Sequence, residues 1–108
     1  MLGIFGDWVY WNEPDMKKVV ITGIGVISPI GNSKDAYWDS LIHGRSGAGR
    51  ITRFDPSNLP CQIDTEVKDF DITQYVDKKR ARRMDYFAQY AVGAAHMAMK
   101  DAAVDTSS

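Results

Sequence analysis

The sequence predicts an α/β fold on three observations. A continuous run, Val19-Val-Ile-Thr-Gly-Ile-Gly-Val-Ile-Ser-Pro29, is rich in β-branched residues and lacks polar alternation, as expected of a strand covered on both faces. A capped helical pattern with an apolar stripe follows it, and a much longer helical pattern fills 78–102. The frame is one small globular unit of 108 residues, with Lys+Arg 13 against Asp+Glu 14 and 44% hydrophobic residues.

Taken in chain order, Met1 to Asp15 holds neither a helical nor a strand period and lacks a basic signal-peptide start. It reads as an appended or disordered leader or an upstream mis-start, with 16–108 as the folded portion. Pro29 ends the Val19 to Ile27 strand, and Asn32 is placed to cap a helix whose first turn carries Asp35. Tyr37, Trp38, Leu41 and Ile42 form its stripe, and Gly44 sits where a left-handed C-terminal cap is wanted.

Arg45 to Pro60, with two Gly and two Pro, predicts a loop, and Gln62 to Lys68 an edge strand with Ile63, Thr65 and Val67 inward and Asp64, Glu66 and Lys68 outward. Thr73 can cap a short segment through Tyr75. Lys78 to Ala102 then predicts one long helix with a seam of Met84, Ala88, Ala91, Ala95, Ala98 and Ala102, small enough for close backbone approach.

Few residues offer chemistry. Gly23-Ile24-Gly25 follows a strand, but a dinucleotide fingerprint wants Gly where this chain has Ser28, and Pro29 blocks the immediate helix start. Gly44 to Gly49 has phosphate-loop spacing, yet Arg50 and Ile51 replace the Lys and the hydroxyl. Cys61 lacks an evident activating partner, His43 ends a helix, and His96 reads as a satisfied core or interface side chain. Two isolated His and one Cys make a poor metal set, so no catalytic residue, metal or cofactor is expected. One Cys also fits a reducing cytoplasm, and no apolar run approaches the roughly 18 residues a membrane helix needs.

The conspicuous charge feature is Lys78-Lys79-Arg80-Ala81-Arg82-Arg83, five of the 13 cations in six positions. Cations at a helix start oppose its dipole by about 0.3–1 kcal/mol each, so helix stability alone does not favour them.

Val19-Val-Ile-Thr-Gly-Ile-Gly-Val-Ile-Ser-Pro-Ile-Gly-Asn32, Trp38 with Leu41, Gly44-Arg-Ser-Gly47, Phe54-Asp55 and Arg83-Met84-Asp85 closely resemble the N-terminal part of the β-ketoacyl-acyl carrier protein synthases, most nearly type II. The resemblance covers Met16 to about Val104, with the motifs in the family's order. It implies part of a thiolase-like fold, an incomplete half of a five-layer αβαβα architecture, in a homodimeric enzyme. It also implies decarboxylative Claisen condensation between an enzyme-held acyl chain and malonyl-acyl carrier protein, in fatty acid biosynthesis. Neither Cys61 nor His43 nor His96 falls at a catalytic position of the family, so the chain is expected to be an inactive N-terminal piece. Lys79, Arg82 and Arg83, with Lys78 as a fourth, match cations that meet the acidic acyl carrier protein. Helical steps of three and four place 79, 82 and 83 on one face, with Arg80 pointing away. Two other readings are a non-catalytic carrier-protein interaction module and a small nucleic-acid binder. The latter lacks aromatic residues among the cations, so neither nucleic acid nor membrane is the expected partner.

Overall fold

Helix α1 spans Lys34–Ile42 in the computed structural model, which describes residues 17–105. The expected leader at 1–15 lies outside the described residues. The N-cap is Ser33, whose hydroxyl accepts from the Ala36 amide at 3.1 Å, one residue later than the Asn32 expected. Asn32 is drawn off by a tertiary partner, donating its side-chain amide to the Lys68 carbonyl at 2.6 Å. The other end closes as expected. Gly44 takes a φ of 60°, its amide donates to Leu41 O at 3.1 Å, and the Arg45 amide donates to Ser40 O at 2.9 Å. These two bonds are a Schellman motif, which glycine adopts without a Cβ penalty.

The Arg45 to Pro60 stretch is not loop throughout. Strand β1, Ala48–Arg50, pairs antiparallel with β2, Ile63–Thr65, in the register Ala48↔Thr65, Gly49↔Asp64, Arg50↔Ile63. The β2 segment is shorter than expected and its faces are inverted at the end: Ile63 is 64% exposed while Glu66 is 7% exposed. Periodicity reports only apolar preference, and here hydrogen bonds to the Glu66 carboxylate decide what is buried.

Residues 19–27 form no ladder, against the expected strand, because among the described residues no other strand lies beside them. They do run along a helix. A Cβ on Gly23 would strike the Ala98 carbonyl, and one on Gly25 the Ala94 carbonyl, while Ile24 between them is 51% exposed. That alternation is that of extended chain, and the glycines are accounted for by backbone approach to the helix rather than by a nucleotide.

The long helix expected over 78–102 is two. Asp71 caps a short 3₁₀ helix, Ile72–Gln74, by accepting from the Thr73 amide at 2.9 Å, so Thr73 is not the cap but a donor to it. Helix α2 is Lys78–Ala81 and α3 is Tyr86–Asp101. Asp85, with φ −67° and ψ 158°, is extended and starts α3 afresh, which stops the helix from running through 82–85. Ala98 and Ala102 of the expected seam carry the contact with Gly23, but Ala91 and Ala95 are exposed. The Asp101 carboxylate fastens this arrangement, accepting from the Ile24 amide at 3.0 Å and pairing with Lys34 of α1.

Packing is thin. Ile72, Ala81 and Pro56 are the buried apolar side chains among the described residues, and Gly93 receives Phe70 and Ile27. Trp38, Leu41 and Ile42 leave the stripe of α1 largely exposed. No helix among the described residues is long and apolar enough to cross a membrane.

Candidate functional site

The five cations occupy a short helix and the turn that follows it. Asp77 caps α2 by accepting from the Arg80 amide at 2.9 Å, which places a carboxylate at the helix end where the cations begin. That charge, and a helix of only one turn, relieve the dipole conflict expected of a long helix. Arg82 is the C-cap, and the Arg83 and Met84 amides donate back to Arg80 O at 3.0 Å and Ala81 O at 3.1 Å. Those two bonds span three residues and tighten the backbone, whereas the Arg82 amide still donates four residues back, to Lys78 O at 3.2 Å. The backbone thus stays helical as far as Arg82, with the Arg83 and Met84 bonds shortened to three residues.

Lys78, Lys79, Arg80, Arg82 and Arg83 are all exposed. Among the described residues none of them is in an ion pair. Lys78 lies near enough to Asp71 to favour its ionised form. The Asp71 carboxyl is held below its ordinary value mainly by the Thr73 hydroxyl, then by the Thr73 amide, with the Lys78 charge adding.

Beside the turn is a cleft of about 510 Å³ lined by Thr52, Arg53, Glu66, Tyr86, Gln89 and Tyr90 among others. The Glu66 carboxylate accepts from the Thr52 hydroxyl at 2.6 Å, the Thr52 amide at 3.1 Å and the Arg53 amide at 3.2 Å. These bonds, the hydroxyl's first, hold its carboxyl below the ordinary value. Arg53 lies over the Tyr86 ring, 4.5 Å from its centroid, and donates to the Tyr90 hydroxyl. Sequence reasoning placed Glu66 outward and missed this group. The local pattern carried no signal of it, because Glu66 falls in phase with the polar positions Asp64 and Lys68.

The remaining candidates do not assemble. Cys61 is exposed, with its sulfur 3.5 Å from the Ile63 carbonyl. His43 stacks no catalytic partner but sits on Asp39, 2.8 Å from its carbonyl. His96 is exposed rather than buried, its ring 5.7 Å from that of Tyr75. Among the described residues no cluster of His, Cys, Asp and Glu could hold a metal ion.

Residues 16–108 match the family described as beta-ketoacyl synthase, N-terminal domain. The chain belongs to the β-ketoacyl synthase family. It is 52% identical over 88 residues to the 3-oxoacyl-[acyl-carrier-protein] synthase 2 of Synechocystis sp., a match covering 82% of this chain and 21% of that protein. The same-named enzymes of Staphylococcus aureus (strain COL) and Coxiella burnetii are 47% and 44% identical over 89 and 91 residues, covering 82% and 84% of this chain and 22% of each relative. Among solved structures, the ishigamide ketosynthase/chain length factor superposes with a TM-score of 0.73 at 42% identity, over 80% of this chain and 21% of that one. The synthase-family chain thus spans about a fifth of the length of the curated relatives it matches. Its architecture is a partial α/β piece of the thiolase-like fold.

Proposed function

We propose that this chain is the carrier-docking N-terminal portion of a 3-oxoacyl-acyl carrier protein synthase of type II. The complete enzyme would join malonyl-acyl carrier protein to an acyl chain by decarboxylative Claisen condensation, as a cytoplasmic homodimer. In this reading the residues present here make and break no bond of the substrate. Their part is to receive the acyl carrier protein on Lys78, Lys79, Arg82 and Arg83.

The observation that carries the reading is the exposed cation cluster without ion-pair partners among the described residues, in a chain whose relatives are named for acting on acyl carrier protein. Unpaired cations with a common field steer an acidic partner, raising association above the neutral baseline of about 10⁵–10⁶ per molar per second. Each exposed pair adds only about 0.2–1 kcal/mol once formed.

The test completes the chain with the C-terminal remainder of the Synechocystis enzyme and reverses Arg82 and Arg83 to Glu. The apparent KM for carrier-borne acyl substrates should rise and its salt dependence flatten, with turnover of small acyl thioesters little changed. Equal loss on both substrate types would make the cluster structural and end the docking reading.

A further inference from the structure

Two positions of the cluster, Arg82 and Arg83, lie in the break between α2 and α3, where no continuous helix fixes them. Across the break the Ala81 carbonyl accepts the Met84 amide at 3.1 Å, and the Met84 carbonyl lies just before the first turn of α3. One side chain reaches both of them. The Gln89 Nε2 donates to Met84 O at 2.9 Å and to Ala81 O at 3.4 Å, spanning the break from the far side. The backbone of Gln89 is itself fixed, its amide donating to Asp85 O at 3.0 Å in the first turn of α3. Gln89 is half-buried and lines two neighbouring hollows, one shared with Arg82 and Lys78 and the other with Arg53 and Glu66.

We infer that Gln89 is a positioning residue for carrier docking: by bridging the Ala81 and Met84 carbonyls it holds the α2–α3 break in one geometry and thereby sets where Arg82 and Arg83 stand. The inference rests on the docking reading above. The chemistry of the site calls for a donor group. Both neighbours are acceptors, so the side chain must supply two N–H donors from one atom. Methionine fills the same length without donating, and an ionised glutamate would set negative oxygens against two carbonyls.

The experiment places Gln89→Met, Gln89→Glu and the Arg82→Glu/Arg83→Glu pair in the completed enzyme, and measures kcat and KM with carrier-borne acyl substrate and with a small acyl thioester. Gln89→Met should raise KM for the carrier-borne substrate about three- to tenfold, the scale of one or two neutral hydrogen bonds. Gln89→Glu should raise it further. In both, kinetics on the small thioester should stay at the parent level, which also shows that the enzyme is folded. If the arginine pair raises KM selectively while both Gln89 variants match the parent, Gln89 does not position the cluster and the inference fails alone. Equal losses on both substrates in the Gln89 variants also overturn it, leaving a general structural role. If the arginine pair has no selective effect, the docking reading falls and takes this inference with it.

Discussion

Thr52 donates both its amide and its hydroxyl to the carboxylate of Glu66, 14 residues along the chain, at 3.1 and 2.6 Å. This clasp lies just past the β1–β2 pairing and turns the chain so that Arg53 reaches Tyr86 and Tyr90 on α3. A buried carboxylate with several donors is favoured as the ion, which is why its proton affinity falls.

Glu66→Gln, measured in the completed enzyme, should therefore lower the Tm and weaken the acid limb of its stability profile. The carboxyl sits below its ordinary value of 4.5 in the folded chain, so its contribution is fully present above that pH. It is lost as pH falls through the lower folded value. A variant whose melting curve matches the parent's at neutral pH would contradict the assignment.

Gly25→Ala should destabilise the completed enzyme by about 1–3 kcal/mol, the usual cost of overpacking. The added Cβ meets the Ala94 carbonyl and the Ala98 amide, backbone atoms of α3 that cannot swing aside. Denaturant unfolding with the Gly44→Ala variant alongside separates two causes, since Gly44 has open space around its Cβ position and pays only for its φ of 60°.

Incubating the chain with a long-chain acyl thioester should leave the mass of Cys61 unchanged. Acyl transfer needs a nucleophile held by a base, and this exposed sulfur instead donates to the Ile63 carbonyl, which removes no proton. An acyl adduct on Cys61 in the mass spectrum would refute this.

The isolated 108-residue chain should bind an apolar dye and melt without a sharp transition. Among the described residues the buried apolar side chains are Ile72, Ala81 and Pro56, whereas Val19, Val20, Ile21, Trp38 and Phe87 are 93%, 73%, 83%, 64% and 75% exposed. Apolar surface on that scale marks a face made for burial elsewhere. Cooperative two-state unfolding with no dye binding would count against it.

How far the sequence speaks depends on the range of the interaction. Local signals gave α1 its acidic first turn and its Gly44 terminus, and the small residues of α3 announced a close backbone approach that Gly23 makes at Ala98 and Ala102. The cation cluster was also legible, because charge density is a property of composition. Asp85, an N-cap residue type ahead of an apolar run, was the missed sign that α3 begins anew.

By itself, then, the sequence determined the Gly44 terminus of α1, the glycines that permit contact, and the motifs that mark the family. Tertiary structure decided the rest. Whether Val19 to Ile27 becomes a ladder depends on neighbouring strands, since strand hydrogen bonds are made between segments and not within one. Glu66 turns inward because donors from residues 52 and 53 meet it there, and the Gln89 side chain reaches back from α3 across the 82–85 break. Each of these partners is distant or out of period, so no pattern read along the chain contains it.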